Sequence, residues 1–492
     1  MSDVSQESHM DMEKQNVVHL EGVTAQPTAD DPNYQTKISL AEKKLIRKID
    51  LKILPYLCAV GFFQFLDKMT LSYASVLGII EDTNLVGSDY GALGSIFYVG
   101  YLAMQVPNSF MMQRIPLAKL VGGIVFIWGG VIALTSLGSN FPQLAGMRFL
   151  LGFLEACVNP NFILLTNTFY RKQEVASRIG AWWLVNGLCT AFGGLIGYGI
   201  GHMEGVAGLH AWQWIMIILG IITSILGVIV FFFLLDDPRS PKWKFTEEEK
   251  MIMEERLRDN GIKRTNEVKW EQVKECFKDP KTYVWFSLAV LINMTNGALT
   301  TFSSLITAGL GFSGLNSILL QIPSGIMDAV LILIGSWFHG RTGDTLYTCA
   351  GLMAVSEIGL IFLAVLPGSV KLLGLYLVYG YAAAYVLLMT SVAANTNGYT
   401  KKIWTNAIVL VGYTIGNIIG PLIMTSNQAP KYIGGLVGCI GASFVAIILM
   451  IGVRFWMGHI NKKKSAATTQ GRMGDSEEDI TDVLDPNYVY RL

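Results

Sequence analysis

Apolar blocks of about twenty residues recur along this chain between short polar turns, and that block length limits the fold more than any other feature. At a helical rise of ~1.5 Å, about twenty residues cross the hydrocarbon core of a bilayer. Read for such runs, the 492-residue sequence predicts twelve spans: 53–80, 90–110, 117–137, 143–168, 178–201, 213–235, 284–308, 315–338, 345–366, 371–395, 404–426 and 433–457. Charged residues make up 15% of the chain, against about a quarter in soluble proteins. They crowd into residues 1–52, 236–281 and 461–492. A soluble globular enzyme is excluded.

The spans fall as six, a charged segment, and six more. That order divides the chain into an N-terminal tail (1–50), a first six-helix bundle (51–235), a linker (236–281), a second six-helix bundle (282–460) and a C-terminal tail (461–492). The predicted fold class is therefore an all-α membrane protein of twelve transmembrane helices in two bundles. Arg114 follows the second span and Arg341 the eighth, each in a short loop on the same side, a weak internal echo. Duplicated halves of this kind are typical of secondary transporters that rock about a midplane site. The 51 glycines, concentrated in the spans, suit closely packed membrane helices.

Basic residues near the span ends set the orientation. With the N-terminus cytoplasmic, the inner side receives Lys43, Lys44, Arg47, Lys48, Lys52, Arg114, Arg171, Lys172 and Arg178. After the linker it also receives Arg341, Lys401, Lys402, Arg454 and Lys462 to Lys464, whereas the outer loops receive only Lys371 and Lys431. Both termini are expected in the cytoplasm. Residues 1–36 lack the apolar core of a signal peptide, so the first span is expected to act as its own insertion signal. In the linker, Thr246-Glu247-Glu248-Glu249 reads as a capping box that opens a helix, with Met253 and Leu257 as its apolar stripe. This helix is expected to lie solvated beneath the membrane domain. The acidic run Asp475-Ser476-Glu477-Glu478-Asp479 is expected to be disordered.

Net charge is zero, so no nucleic-acid or acidic partner is indicated. The six cysteines form no CxxC pair and the six histidines no cluster, so no metal site is expected. A phosphate loop of the GxxxxGK[ST] type, a GxSxG elbow and an HExxH motif are all missing from the sequence. Neither enzyme chemistry nor nucleotide-driven pumping by this chain alone is supported.

Charges inside the spans need a reason, because each costs about 2.5–3.5 kcal/mol at the bilayer centre on insertion scales. Asp67 and Lys68 lie in span 1, Arg148 and Glu155 in span 4, Asp328 in span 8 and Glu357 in span 9. Asp67 and Glu155 both fall near the midplane by rise per residue. Arg148 precedes Glu155 by seven residues, which puts the two on nearly the same helix face. Two acids in one buried region cannot both ionise cheaply, so one is expected to take up a proton. Asp328 and Glu357 read more plainly as neutral acids hydrogen-bonded between packed helices. Span 7 adds Asn293 and Asn296, span 10 Tyr379 and Asn395, and span 11 Tyr413 and Asn417. Basic residues lie deep only in the first half, so an anion would meet its cations there and neutral hydrogen-bonding groups opposite.

Certain motifs in these spans resemble a known family. Span 4 reads Arg148-Phe-Leu-Leu-Gly152-Phe-Leu-Glu155-Ala, after Asp67-Lys68 in span 1 and before Pro160, Phe169-Tyr170-Arg171-Lys172 and Arg178. This is similar to the anion:cation symporter branch of the major facilitator superfamily. Asn296-Gly297, Gly311-Phe312 and Gln321-Ile-Pro323-Ser-Gly325 resemble its fungal allantoate permease group, as do Asn395-Thr-Asn397-Gly398-Tyr399-Thr400-Lys401-Lys402, Gly416-Asn417 and Gly420-Pro421. The resemblance covers roughly residues 45–460. It implies the major-facilitator fold with spans 1, 4, 7 and 10 around a central cavity, and proton-coupled uptake of a small organic anion. Under it, Asp67 and Glu155 carry protons and Arg148 is the cavity arginine. Many relatives of the wider branch carry Arg where this chain has Lys68. Lys keeps the charge without the bidentate fork, so Lys68 either binds substrate or only balances Asp67. The substrate's carboxylate is expected at Arg148 and its body at Asn293, Asn296, Tyr379 and Asn417.

An allantoate-like ureide is the favoured substrate, with nicotinate, pantothenate, biotin, cysteine or a small peptide as alternatives and a non-transporting nutrient sensor as a rival class. The expected partners are a small organic anion, protons and the lipid bilayer. No cofactor beyond the proton gradient is expected, and the protein is expected to be a monomer in the plasma membrane.

Overall fold

The structure is a computed structural model that describes residues 32–259, 269–467, 480–485 and 488–492. The acidic run at 475–479 lies outside the described residues. Long helices dominate: α1 (Pro32–Ser75), α2 (Asp89–Arg114), α3 (Leu117–Thr135), α4 (Phe141–Phe169), α5 (Lys172–Gly201) and α6 (Ala211–Phe233). After the linker follow α7 (Pro280–Ala308), α8 (Gly314–Thr342), α9 (Thr345–Val365), α10 (Gly368–Ala394), α11 (Tyr399–Leu422) and α12 (Ile433–Ala467). Among the described residues eleven helical segments are long and apolar enough to cross a membrane. The remaining long helix, α2, has 26 residues but carries Asp89, Gln105, Asn108, Gln113 and Arg114.

The first helix starts well before the predicted span at 53. Leu45, Ile49, Ile53 and Leu57 recur every four residues and are all fully buried. This apolar stripe carries the helix through the basic stretch 43–52, whose charges take the other faces. Three helices are bent. In α4, Pro160 has no N–H to give the Ala156 carbonyl, and the helix breaks just after Glu155 and restarts at Val158. In α8, Pro323 has the same effect on Leu319. In α10 the break falls at Tyr379, beside Gly380, whose missing Cβ admits the Leu352 carbonyl.

Glycines let the helices approach closely. A Cβ added at Gly152 of α4 would overlap the Phe97 carbonyl oxygen of α2. Gly297 of α7 meets the Asn417 backbone of α11 in the same manner, at 2.7 Å. Between the halves, α5 packs on α8 at Gly187 and Gly325, and α2 on α11 at Gly91 and Pro421.

Hydrogen bonds between the halves gather at the end far from the chain termini. The Tyr90 hydroxyl donates to the Thr301 carbonyl at 2.6 Å and the Ser95 hydroxyl to that of Ile418 at 2.7 Å. Ser72 meets Ser303 and Ser304, and Ser426 meets the Gly87 carbonyl. Ser72 lies one turn beyond Lys68, so this seal sits directly above the intramembrane charges.

The linker departs from a plain solvated helix. Its capping box forms as predicted, with the Thr246 amide donating to Glu249 Oε2 at 2.9 Å and the Glu249 amide to Thr246 Oγ1 at 3.2 Å. Arg256, however, is fully buried between Glu42 of α1 (2.5 Å) and Glu174 of α5. Trp243 is also fully buried, against Phe169 and Phe245. The end of the C-terminal tail docks as well. Asp482 is buried against Lys281 and Lys401, and Lys401 also reaches Glu275 (2.9 Å) and Asp279 (2.8 Å). Arg491 and Asn395 exchange two hydrogen bonds, and the Thr345 amide donates to the Leu492 carbonyl at 2.7 Å.

Candidate substrate and coupling site

On the termini side of the seal, a central cavity lies between the halves. Helical spacing decides which side chains reach it. On α1, Gly61, Gln64, Phe65 and Lys68 stand at i, i+3, i+4 and i+7, on one face of the helix, and line the cavity together. Asp67, about 100° around the helix from Lys68, points elsewhere. On α7, Asn293, Asn296 and Thr300 form the facing stripe. The break in α10 brings Tyr379, Tyr381, Ala382 and Tyr385 to one wall, and α8 adds Asp328 and Ile332. The space measures about 930 Å³ counting its open part.

Of the four charges predicted in spans 1 and 4, three converge and one turns aside. Lys68 Nζ is 3.7 Å from Glu155 Oε2, with the lysine nearly buried and the glutamate fully so. The same ammonium lies over the faces of Phe97 (5.7 Å) and Tyr101 (6.0 Å), a cation–π seat. Arg148 is 3% exposed. Together with Lys68, Gly94, Phe97, Tyr98, Thr300 and Thr301 it lines a smaller pocket adjoining the first, so Lys68 belongs to both. Among the described residues Arg148 has no ion pair and no hydrogen bond. Asp67, 2% exposed, accepts from the Thr223 hydroxyl of α6 at 3.3 Å, and its other oxygen is buried without a hydrogen bond among the described residues. The alternative that Lys68 only balances Asp67 is therefore corrected: its partner is Glu155.

The neutral groups also sort differently from expectation. Asn296 donates to Asn417 Oδ1 at 2.8 Å and accepts from the Tyr381 hydroxyl at 2.9 Å. Asn417 is fully buried, gives its own N–H to the Tyr413 carbonyl, and is not among the cavity-lining residues. It holds Asn296 in place from behind. The Asn293 amide donates to the Ala289 carbonyl of its own helix. Tyr379 lines the cavity as expected.

Sequence reading passed over several residues that line the same space, among them Tyr98, Asn159, Trp182 and Asn186. The spacing of Trp182 and Asn186, four apart in an otherwise apolar span, was the available signal. Tyr98, Tyr101, Tyr385 and Tyr413 form an aromatic cluster with ring centroids 5.6–6.5 Å apart. Asp328 differs most from its expectation. It is 4% exposed, faces the cavity, and makes no hydrogen bond among the described residues. Glu357 stays apart from the cavity, half-buried on α9, with one oxygen that makes no hydrogen bond among the described residues. No cluster of groups able to hold a metal ion occurs among the described residues.

Comparison with known proteins agrees with this architecture. The chain is 33% identical over 477 residues to the uncharacterized transporter C417.10 of Schizosaccharomyces pombe, covering 94% of this chain and 92% of that one. It is 32% identical to the thiamine pathway transporter THI73 of Saccharomyces cerevisiae, covering 91% and 86% of the two chains. With the allantoate permease of the same yeast it shares 28% identity over 92% and 87%. Among solved structures, a D-xylose-proton symporter matches with a TM-score of 0.63 at 14% identity, over 82% of this chain and 97% of that one. A bacterial homologue of the lysosomal transporter Spinster, inward-facing and unoccupied, matches at 0.61 and 14%, over 81% and 94%. The family model described as Major Facilitator Superfamily matches residues 57–421. This chain is a multi-pass membrane transporter belonging to the Major Facilitator Superfamily.

Proposed function

We propose that the protein imports a small organic anion together with a proton by alternating access. The observation that carries this reading is Arg148, a buried guanidinium with no ion pair and no hydrogen bond among the described residues, in a pocket shared with Lys68. An unpaired buried cation is costly, and a carboxylate reaching it would form charge-assisted bonds where water is scarce. Asp67, Lys68, Arg148 and Glu155 sum to zero charge when all are ionised. An arriving anion leaves one negative charge in excess, and one proton restores the balance. Glu155 is the acid best placed to take it. Its protonation releases Lys68, which already lines the cavity, to meet the substrate's carboxylate. Proton and anion binding are then linked, each strengthening the other.

The twelve helices are taken to cross the membrane with both termini cytoplasmic, which makes this conformation inward-facing, with its outer end sealed. An allantoate-type ureide carboxylate is the favoured substrate, and similarity to the allantoate permease supports it. A vitamin-type carboxylate such as nicotinate, pantothenate or biotin is the second reading; similarity to the thiamine pathway transporter bears on its vitamin part alone. The plasma membrane is the proposed location. An uptake panel in yeast lacking its own permeases tests the proposal, using allantoate, ureidosuccinate, nicotinate, pantothenate, biotin, cysteine and a dipeptide. One acid should accumulate faster at acidic pH, and Arg148→Gln should abolish that uptake. Amide or ester analogues competing as well as the acids would refute the anion reading.

A further inference from the structure

The wall of the cavity opposite Lys68 holds one carboxylate, Asp328 of α8, whose surroundings set it apart from the other buried acids. Asp482 is matched by Lys281 and Lys401, Asp279 by Lys401, Glu155 by Lys68, and Asp67 by the Thr223 hydroxyl. Asp328 is 4% exposed and makes no hydrogen bond or ion pair among the described residues. One of its oxygens is buried and orphaned, yet the side chain lines the main cavity. The α10 hydroxyls beside it, Tyr379 and Tyr381, make no hydrogen bond to it among the described residues, and that of Tyr381 is given to Asn296. Asn296 is engaged with Asn417 and Tyr381, and the Asn293 N–H with the Ala289 carbonyl. The cavity is thus polarised: cationic groups on α1 and α4, and a free acceptor on α8.

The carbonyl oxygen of a carboxyl group accepts hydrogen bonds in the neutral and the ionised acid alike, so the group that completes the orphaned oxygen must bring N–H or O–H donors. We propose that Asp328 is a specificity-determining residue that receives a nitrogen donor group of the substrate, a ureide, amide or ammonium, at the end remote from its carboxylate. This rests on the anion reading above and narrows it. The transported acids carry N–H donors, and plain carboxylic acids of the same size are excluded. A site with a buried acceptor rejects a ligand that cannot satisfy it far more strongly than a hydrophobic pocket rejects an altered shape.

The test is competition against whichever acid the uptake panel shows to be accumulated. The probes are N-carbamoyl-β-alanine and its carbon isostere, in which both nitrogens are replaced by carbon. In the wild type the ureido acid should compete about tenfold or more better than the isostere. In Asp328→Leu that gap should close, mainly by loss of the ureido acid's advantage. Asp328→Asn, nearly unchanged in shape, should narrow the gap while surface expression stays at the wild-type level. An equal gap in Asp328→Leu, or no gap in the wild type, overturns the role of Asp328 and leaves the anion reading standing. Loss of every substrate in Asp328→Asn at normal surface level also overturns it, because a specificity residue would spare the isostere. If neither probe competes and no acid of the panel accumulates, the anion reading itself fails, and this proposal with it.

Discussion

Lys68 Nζ lies 3.7 Å from Glu155 Oε2, while the adjacent Asp67 accepts from Thr223 on a different face of the same helix. Neighbouring helical residues diverge by about 100°, so one dipeptide serves two faces. The lysine answers the cavity and α4; the aspartate answers α6. Under the proposed coupling, the pair Lys68–Glu155 is the element through which a proton and an anion exchange a partner.

Glu155→Gln copies the protonated acid and should leave Lys68 permanently available. Uphill uptake should be lost while exchange of substrate across the membrane persists. In the wild type, substrate binding should strengthen as pH falls, because protonation of Glu155 frees the lysine. In the variant that dependence should flatten. Binding to purified protein across a pH series would show this, and an unchanged pH dependence in Glu155→Gln would move the coupling role elsewhere.

Lys68→Gln leaves Glu155 buried without its cation, and removing one partner of a buried pair costs about 3–5 kcal/mol. The variant should melt well below the wild type in detergent. Adding Glu155→Gln removes the stranded charge and should recover most of the lost thermal stability, but not accumulation. Absence of any recovery in the double variant would show that the two side chains do not act as a pair.

Helix contacts make a separate claim. Any side chain at Gly152 would drive its Cβ into the Phe97 carbonyl oxygen, an overlap with backbone that rotamers cannot relieve. Gly152→Ala should prevent α2 and α4 from closing and should abolish folded protein. Gly199, where an added methyl group would find nothing within 4 Å, should tolerate the same change. Fluorescence-detected gel filtration of the two variants compares them directly.

Much of the fold was legible because bilayer thickness fixes the length of the apolar blocks, and glycine frequency signals close approach. The α1 helix was misjudged at its start, since the stripe Leu45, Ile49, Ile53 is interrupted in sequence by charges that share its turns but not its face. The site was legible where a charge sat in an apolar run, as at Arg148, Glu155 and Asp67. Which charge meets which depends on rotation about helices that bend at Ala156 and Tyr379, and local periodicity carries no information on those angles. Asn417 was misplaced for that reason, as a cavity group instead of the support behind Asn296. Asp328 reads from sequence like any neutral interhelical acid, and only its lack of a hydrogen bond or ion pair among the described residues sets it apart.

The docked C-terminus should act as a structural clip on the second half. Burial by itself would raise the Asp482 carboxyl, but Lys281 and Lys401 outweigh it and hold the group below its ordinary range. A depressed carboxylate stabilises above its unfolded value, near ~3.9, and loses that contribution only as pH falls through the lower folded value. Acidification from neutrality to about pH 5 should therefore leave the tail docked. Asp482→Ala should free it at neutral pH, because two buried lysines lose their shared carboxylate. Protease sensitivity of the last residues, compared between the wild type and Asp482→Ala, reports the release.

The orientation makes the last claim. Outside the spans, the basic residues gather at one end of the bundle, with Lys371 and Lys431 the exceptions, and by the positive-inside rule that end is expected in the cytoplasm. The six cysteines favour a direct test, since five are buried and Cys58 is partly so. Background labelling should be low even before they are replaced. Ser139, between α3 and α4, and Ser369, between α9 and α10, are exposed at the end opposite the linker. Lys242 is exposed on the linker itself. In intact cells a membrane-impermeant maleimide should modify Ser139→Cys and Ser369→Cys and spare Lys242→Cys, which should react only after permeabilisation. Labelling of Lys242→Cys in intact cells would invert the orientation, and with it the inward-facing assignment of the sealed and open ends.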